Sequence, residues 1–268
     1  MAQVIYTNVY SINAQKNLSK NSLSLSSALE RLSSGLRVNS ARDDAAGLAV
    51  AQRMEADARG LTVAIRNASD GISFAQTADG ALGTAASMMQ RMRELAVQSL
   101  SGTIGDSERT YLGNEFNVLQ QQITDMQTAA KLNGQSVFST AGFSFQVGTT
   151  TNAEDQMTAT FASVTTPAGT IDTAANASAA ITAIDKAMDD VAASRANIGG
   201  VMGGLEFRIQ QLETARENQY AARSRIMDAD FAEETANMTR AQILQQAGTA
   251  MVAQANAIPQ NVLTLLRG

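Results

Sequence analysis

The 268-residue chain has no cysteine, no histidine and no tryptophan, and only two prolines. Without cysteine it forms no disulfide and offers neither a thiol nucleophile nor a thiolate metal site. Without histidine it cannot contain the HExxH motif of zinc peptidases. We therefore expect no bound metal, no cofactor and no enzymatic activity.

Aromatic residues make up only 4% of the chain, and its net charge is −5 with a pI near 4.9. Nucleic-acid binding proteins usually carry clustered basic residues that contact phosphates, so the acidic balance argues against that class. A sequence poor in bulky residues and prolines fits an elongated helical protein better than a globular one.

The C-terminal stretch from Ala241 to Leu266 carries no charged side chain. A membrane-spanning helix needs about 20 nearly continuous apolar residues. We expect no membrane insertion, because seven side-chain amides interrupt this stretch: Gln242, Gln245, Gln246, Gln254, Asn256, Gln260 and Asn261. The N-terminal residues also lack the basic and apolar regions of a secretory signal peptide, so export would need another route.

A first helix is predicted where leucines recur at alternating spacings of three and four residues, which is typical of a seam that faces another helix. The residues of this seam are Leu18, Leu25, Leu29, Leu32 and Leu36. Gly35 and Asn39 are expected to end the helix, and Ser40 with Asp43 has the capping-box pattern for the next one.

The second helix has the longest periodic pattern and is predicted from about Ala45 to Ser99. At 1.5 Å per residue it would be on the order of 80 Å long. Asp79 is the only residue that interrupts the apolar seam. The seam residues that we expect to pack are Met54, Leu61, Ile65, Ile72, Leu82 and Met89, with small residues such as Ala58 and Ala68 between them.

A third helix, a β-hairpin and a loop are predicted next. The helix has Leu112, Phe116 and Ile123 in register. Asn133-Gly134 then indicates a turn. Two-residue alternation predicts a small hairpin between about residues 137 and 164, and the segment from Thr165 to Ser178 is expected to be an exposed loop and a candidate for Ser/Thr modification.

The apolar periodicity returns from Ile181 and predicts a fourth helix that matches the second in length. Its seam residues are Ile184, Met188, Val191, Ile198, Leu205 and Ile209, with Arg195 in the same register. A last helix is predicted to begin near Asp230, which with Glu233 forms a second capping pattern. Acidic residues there suit the positive end of the helix dipole.

These patterns predict a mainly α fold, a long antiparallel coiled-coil-like helical bundle with one small β-hairpin. The two chain ends share one character, because residues 1–29 carry only Lys16 and Lys20 as charges and the C-terminal stretch is neutral. We therefore expect the two ends to pair.

Five stretches of the chain resemble bacterial flagellin, the subunit of the flagellar filament. They are LSSGLRVNSARDDAAGLAVAQRM (32–54), RNASDGISFAQTADGAL (66–82), QRMRELAVQS (90–99), ARSRIMDADFAEE (222–234) and AQILQQAGTAMVAQANAIPQNVLTLLR (241–267). The chain departs from the family pattern at Tyr6, where Asn is usual, at Leu132, where Phe is usual, and at Met202 to Gly204, where Gln-Asn-Arg is usual.

The resemblance implies two domains. Residues 1–44 and 226–268 would pair as an inner helical domain that lines the filament channel, and residues 45–225 would form an outer rod domain with the hairpin at about 137–164. Only about 50 residues lie between the third and fourth helices, so this is a short form that lacks the outer variable domains of many flagellins.

The resemblance also implies the function, location and partners. The chain would polymerise into the extracellular flagellar filament for swimming motility, after unfolded export through the flagellar type III apparatus. Its partners would be itself, an export chaperone, and the filament cap and hook-junction proteins. The leucines of the first helix would assemble the inner domain together with Ile243, Leu244, Met251, Val252, Leu263, Leu265 and Leu266, while the amides of the last helix face a water-filled channel or bond between helices.

A second binding role follows from the same resemblance. The segment QRMRELAV is similar to the segment that the animal Toll-like receptor for flagellin recognises. The positions that match residues associated with recognition are Arg91, Leu95 and Glu115. The same residues could instead serve filament contacts, with Leu95 as a packed residue.

Adjacent carboxylates such as Asp43-Asp44, Asp189-Asp190 and Glu233-Glu234 could in principle form an acid/base pair. Neighbouring helix positions diverge by about 100°, so these charges are expected to lie on a solvated face or to cap a helix instead. Two other interpretations remain open. A flagellin-like hook–filament junction protein would share similar ends. A surface flagellin homologue could act as a binding protein for an extracellular ligand.

Overall fold

The structure is a computed structural model that describes residues 7–267, except for the side chains of residue 140 and residues 259–267. Its helices are α1 (Val9–Ser34), α2 (Ala45–Ser99), α3 (Asp106–Ala129), α4 (Ala174–Met227) and α5 (Phe231–Arg267). Its strands are β1 (Lys131–Leu132), β2 (Gln135–Ser136), β3 (Ser139–Gln146) and β4 (Gln156–Phe161). The prediction of a mainly α fold is confirmed.

The chain divides into two compact units. Unit 1 combines the N-terminal residues up to Ala56 with the residues from Asn218 onward, and unit 2 spans Asp57–Glu217. The division therefore falls inside α2 and α4. The inner and outer domains that the sequence predicts, with boundaries at 44/45 and 225/226, stay a prediction.

The residues that begin and end the helices are close to those predicted, with one correction. Gly35 ends α1 in the left-handed region at φ 71°, where its backbone N–H donates to the carbonyl of Arg31. Asp230 caps α5, because its carboxylate accepts from the backbone N–H of Ala232 at 2.8 Å. The cap of α2 is Asp44, whose carboxylate accepts from the N–H of Gly47 at 2.8 Å.

Ser40 and Asp43, predicted to cap α2, instead close a turn just before it. The carboxylate of Asp43 accepts from both the backbone N–H and the hydroxyl of Ser40, each at 2.9 Å. These bonds hold the pKa of Asp43 below its usual value. Ser40 and Asp43 therefore do bond each other, as the capping-box pattern indicates, but their bonds stabilise a turn rather than the start of α2.

Unit 2 has a core of α2, α3, α4 and the β3–β4 hairpin. Small residues such as Ala75 and Ala78 are fully buried along α2 and allow neighbouring elements to approach closely. All the predicted rod-packing residues of unit 2 are buried or half-buried, and Met54 is half-buried in unit 1. Fully or nearly fully buried are Leu61, Leu82, Met89, Ile184, Val191, Ile198 and Leu205; half-buried are Ile65, Ile72, Met188 and Ile209.

The two charged residues in the predicted seams of α2 and α4 bind each other. The guanidinium of Arg195 donates to both carboxylate oxygens of Asp79, at 2.7 and 3.2 Å. This partner raises the pKa of Arg195. The polar interruption of one helix therefore has its counterpart on the other.

Two antiparallel hairpins follow α3, where one was predicted. The larger pairs β3 with β4 and places Phe143 opposite Ala159. The smaller pairs β1 with β2 around Asn133 (φ 51°) and Gly134 (φ 79°), a two-residue turn in which both central residues have positive φ. The sequence indicated this turn but not the short strands on either side of it.

Aromatic side chains are few, but several meet where the large hairpin packs on α2. The ring centroid of Phe74 lies 4.6 Å from that of Phe143 and 6.4 Å from that of Phe161. Such ring pairs add about 0.5–1.5 kcal/mol beyond their buried area. The hairpin is therefore part of the core of unit 2.

The predicted exposed loop at 165–178 is only partly a free loop, and its last residues belong to α4. Ile171 is fully buried, and its carbonyl accepts from the hydroxyl of Ser99. The side-chain amide of Gln127 donates to the carbonyl of Val164 at 2.8 Å, and Gln120 donates to Pro167. Long-range side-chain bonds thus hold this segment in place.

Candidate assembly surface of the terminal helices

Helices α1 and α5 pack against each other along a narrow seam in unit 1. A Cβ added at Gly248 would lie 3.0 Å from Cδ1 of Leu18, so the two helices approach closely there. The buried and half-buried residues repeat every three or four positions on both helices. They include Ser11, Ala14, Leu18, Asn21, Leu25, Ala28 and Leu32 on α1, and Glu234, Met238, Ala241, Gln245, Gly248, Val252 and Ala255 on α5.

Polar contacts hold one end of this helix pair. The side-chain amide of Asn8 donates to the carbonyl of Ala255 at 2.7 Å, and the same side chain caps α1 by accepting from the N–H of Ser11. The hydroxyl of Ser11 also bonds the side-chain oxygen of Asn256 at 2.7 Å. The bonds to Ala255 and Asn256 cross between the helices, so they favour one register of the pair.

An ion pair holds the other end. The guanidinium of Arg31 lies 2.9 Å from a carboxylate oxygen of Glu234. The side chain of Glu234 is only 9% exposed, whereas that of Arg31 is 32% exposed. A carboxylate buried to this extent needs its partner, because an unpaired charge in such a place is costly.

The segment after α1 pairs with the connection between α4 and α5. The carbonyl of Gly35 accepts from the N–H of Ala229 at 3.0 Å, and the N–H of Arg37 donates to the carbonyl of Met227. Leu36 was predicted in the α1 seam, but it forms a β-bridge with Asp228 instead. Gly35 ends the helix first, which is why the leucine pattern overran it.

A second set of apolar side chains on the same two helices faces outward. Leu29, predicted in the α1 seam, is 47% exposed, and Ile243, Leu244 and Met251 are 60%, 44% and 62% exposed. Val252 alone of the described predicted C-terminal residues turns toward α1. The outward apolar surface consists of Val9, Tyr10, Ile12, Leu23 and Leu29 on α1 and Ile243, Leu244, Met251 and Ile258 on α5.

Small residues line a shallow groove on α5 beside this surface. The groove contains no acidic side chain, and one basic residue, Arg240, stands at its edge. Its lining includes Ala232, Thr235, Ala236, Thr239, Ile243 and Leu244. We call this groove together with the exposed apolar residues of α1 and α5 the outward surface.

The side-chain amides noted in the sequence of α5 divide between the α1–α5 seam and the exposed surface. Gln245 is half-buried in the seam and Asn256 bonds Ser11, whereas Gln242, Gln246 and Gln254 are exposed. The side chains of Gln260 and Asn261 lie outside the described residues, as do those of Leu263, Leu265 and Leu266. The structure therefore favours inter-helix bonding for Asn256 in particular.

The residues predicted to contact an innate receptor lie close together on unit 2 but differ in exposure. The guanidinium of Arg91 lies 2.9 Å from Glu115 and 2.9 Å from Glu94, and both acidic side chains raise its pKa, Glu94 most strongly. Leu95 is 1% exposed and belongs to the core. The groups exposed here are therefore the charged side chains of Arg91 and Glu115, whereas Leu95 is buried.

Comparison with known proteins identifies the family. The bacterial flagellin N-terminal helical region matches residues 5–142, and the bacterial flagellin C-terminal helical region matches residues 181–266. The flagellin of Halalkalibacterium halodurans is 41% identical over 271 residues, which cover 98% of this chain and 100% of the relative. The chain belongs to the bacterial flagellin family.

Two further comparisons agree with membership of the flagellin family. The flagellar filament 33 kDa core protein of Treponema phagedenis is 37% identical over 98% of this flagellin and 100% of that protein. The crystal structure of Bacillus cereus flagellin superposes with a TM-score of 0.50 at 26% identity, covering 55% of this chain and 88% of that one. This flagellin is a short form, since residues 130–173 hold only two small hairpins and a connecting segment.

The carboxylate pairs weighed as possible acid/base groups have structural partners in several cases. Asp43 and Asp44 cap backbone N–H groups, and Glu234 pairs with Arg31. Within residues 7–267 no group of three or more acidic side chains is placed to hold a metal ion. Among the described helices of this flagellin, none combines the length and apolarity that crossing a membrane requires.

The small and polar residues of the α1–α5 seam were not predicted from the sequence. Ser11, Ala28, Ala241 and Ala255 are all buried, yet none is strongly apolar. The spacing of three and four residues could have indicated them, because it continues through Ala14 and Asn21 when small and polar residues are counted together with the leucines.

Proposed function

We propose that this flagellin is the structural subunit of an extracellular bacterial flagellar filament and assembles head to tail with copies of itself. The observation that carries the proposal is the outward surface of α1 and α5. It presents exposed isoleucine, leucine and methionine side chains on helices whose seam is already filled. Heterologous contacts that do not close into a ring produce helical filaments.

The terminal helices α1 and α5 bury little apolar surface against each other. Their seam consists largely of Ala, Ser and Gly and half-buried leucines, and a pair of helices in water is marginal without further packing. We expect the α1–α5 pair to become fully ordered only when neighbouring copies cover the outward surface. Folding and assembly would then be coupled.

Seeded growth tests this function. Purified protein is mixed with sheared filament fragments, and elongation is followed by sedimentation and electron microscopy. Burying a large apolar side chain contributes about 1.5–3 kcal/mol. Because Ile243 and Met251 are 60% and 62% exposed, assembly can gain only the corresponding part of this, so Ile243→Ser and Met251→Ser are each expected to raise the critical concentration about tenfold. Gln246→Ser, at an exposed polar position of the same helix, is the matched control.

The same experiment separates the alternatives. Long filaments from the unaltered protein support the proposal. Short rings that do not grow would indicate a hook–filament junction protein, and saturable binding of an extracellular ligand without polymers would indicate a surface binding protein. Either result would overturn the proposal.

The partner proteins are part of the proposal. An export chaperone would cover the outward surface of α5 before secretion through the flagellar type III apparatus, and cap and hook-junction proteins would meet the same helices at the filament ends. What supports this is the neutral, apolar character of α5 from Ala241 onward. Loss of chaperone binding in Ile243→Ser, with binding retained in Gln246→Ser, would support the chaperone site.

Recognition by the Toll-like receptor for flagellin is proposed for the free subunit. The exposed ion pair of Arg91 and Glu115 would provide the polar contact, and Leu95 would support it from the core. A receptor response that depends on the monomer and is abolished by Arg91→Ala would support this role. An unchanged response would refute it.

A further inference from the structure

Four glycines lie within six residues in the middle of α4, at positions 199, 200, 203 and 204. The last two belong to the Met-Gly-Gly segment that departs from the flagellin pattern. The helix continues through this segment without a break, and all four glycines have helical rather than positive φ. Their backbone conformation therefore does not require glycine.

Packing does not require glycine at three of these positions either. A Cβ added at Gly199, Gly200 or Gly203 would meet no atom within 4 Å. Only Gly204 is close to a neighbour, since its Cβ would lie 2.7 Å from Cε of Met157. Alanine would therefore fit at three sites where the chain has glycine.

The opposite face of the same segment is held firmly. Ile198 and Leu205, which flank the glycines, are buried in the core of unit 2. Val201 and Met202 are half-buried against the same core. The segment is thus attached to the core on one face and has no side chains to support the helix on the other.

Glycine is the least favourable helix residue after proline, because its backbone loses most freedom on folding. Each of the three open glycines makes local opening of the helix about fivefold easier than alanine would. Glycine clusters are also sites where helices bend. Three such positions together would favour opening roughly a hundredfold.

We propose that residues 199–204 are a hinge in α4, where this helix opens and bends before the flanking turns do. The hinge goes beyond the proposed assembly function, because it is a movement within unit 2 and needs no second copy. It accounts for Gly199, Gly200 and Gly203, which neither backbone conformation nor packing explains.

Native-state hydrogen exchange of the full-length free protein tests the hinge. The amides of residues 199–208 are expected to exchange at least tenfold faster than those of residues 186–196 and 210–216 on the same helix. The triple variant Gly199→Ala, Gly200→Ala and Gly203→Ala is expected to slow the exchange of residues 199–208 roughly a hundredfold. Gly204 is left unchanged because of Met157.

The matched control is Gly80→Ala with Gly83→Ala on α2, where an added Cβ also meets nothing within 4 Å. These substitutions improve a different helix and are expected to leave the exchange of residues 199–208 unchanged. If the control slows that exchange about 25-fold, as two fivefold effects on unfolding of the whole unit would, the opening is not local to α4 and the hinge is refuted. Uniform exchange along α4 in the unaltered protein would refute it as well.

Discussion

Removal of Arg31 tests the α1–α5 pair most directly. In Arg31→Met the carboxylate of Glu234, whose side chain is 9% exposed, loses its partner 2.9 Å away. Breaking a buried ion pair from one side costs about 3–5 kcal/mol. Because Arg31 itself is 32% exposed, water can partly replace it, and we expect about 2–3 kcal/mol.

The assay is the critical concentration for seeded elongation, measured together with thermal unfolding of the free subunit. If the helices pair on assembly, the whole loss appears in elongation, and a cost of about 2–3 kcal/mol raises the critical concentration about thirtyfold or more. If the helices are already paired in the free subunit, the loss appears in its unfolding instead. The two measurements together therefore capture the cost in either case.

The double variant Arg31→Met with Glu234→Met provides the control. Replacing both members of a buried pair by apolar residues of similar size is often neutral or stabilising, so the double variant is expected to recover most of the loss. The predicted cost of leaving Glu234 unpaired is wrong if Arg31→Met changes both the critical concentration and the unfolding equilibrium constant by less than threefold, or if the double variant is no more stable than the single one.

Three further predictions concern the core, the hairpin and the seam. Leu82→Ala should lower the free energy of unfolding by about 2.7–5 kcal/mol in urea titration, since Leu82 is fully buried; a loss below about 1 kcal/mol would contradict this packing. Hydrogen bonds from Thr150 hold the pKa of Asp155 below 3.8, so Asp155 contributes stability that is present above about pH 4 and lost as the pH falls through its folded pKa. Thr150→Ala should reduce the free energy of unfolding that is lost on acidification, and an unchanged pH dependence of unfolding below about pH 4 would refute this prediction. Gly248→Val should weaken elongation, because its side chain would overlap Leu18, and normal growth would show that the helices do not approach closely there.

The sequence predicted the helices well where the pattern was long. Apolar spacing predicted α2 from about Ala45 to Ser99, as found, because about ten turns of consistent periodicity, from Met54 to Met89, outweigh local exceptions. The polar residues Asp79 and Arg195 were each noted in a seam, but the ion pair that joins them was not predicted and is a finding of the structure. Long patterns average out the uncertainty of single positions.

The errors arose where one residue or one long-range bond decides the structure. Leu29 continues the leucine spacing but lies outward, because sequence spacing does not fix how a short helix is rotated about its axis. Leu36 fell outside the helix because Gly35 took the left-handed conformation first. The segment near Ile171 was predicted to be free because its anchors, such as Ser99, are distant in sequence.

The two units differ in how completely each buries its own apolar residues. Unit 2 encloses an aromatic cluster and fully buried leucine, isoleucine and methionine side chains, so it has the core of a protein that is stable alone. The paired helices of unit 1 bury mostly small residues and leave side chains such as Ile243 and Met251 exposed. If assembly covers those side chains, the ends of the chain gain stability only in the polymer, whereas unit 2 keeps its fold in both states.

Hydrogen exchange should therefore show protection of α2 within unit 2 in the free subunit and in the filament, but protection of α5 beyond Ala241 only in the filament. Equal protection of α5 in both states would show that the helix pair is complete by itself, and the outward surface would then lack the role in coupled folding proposed for it.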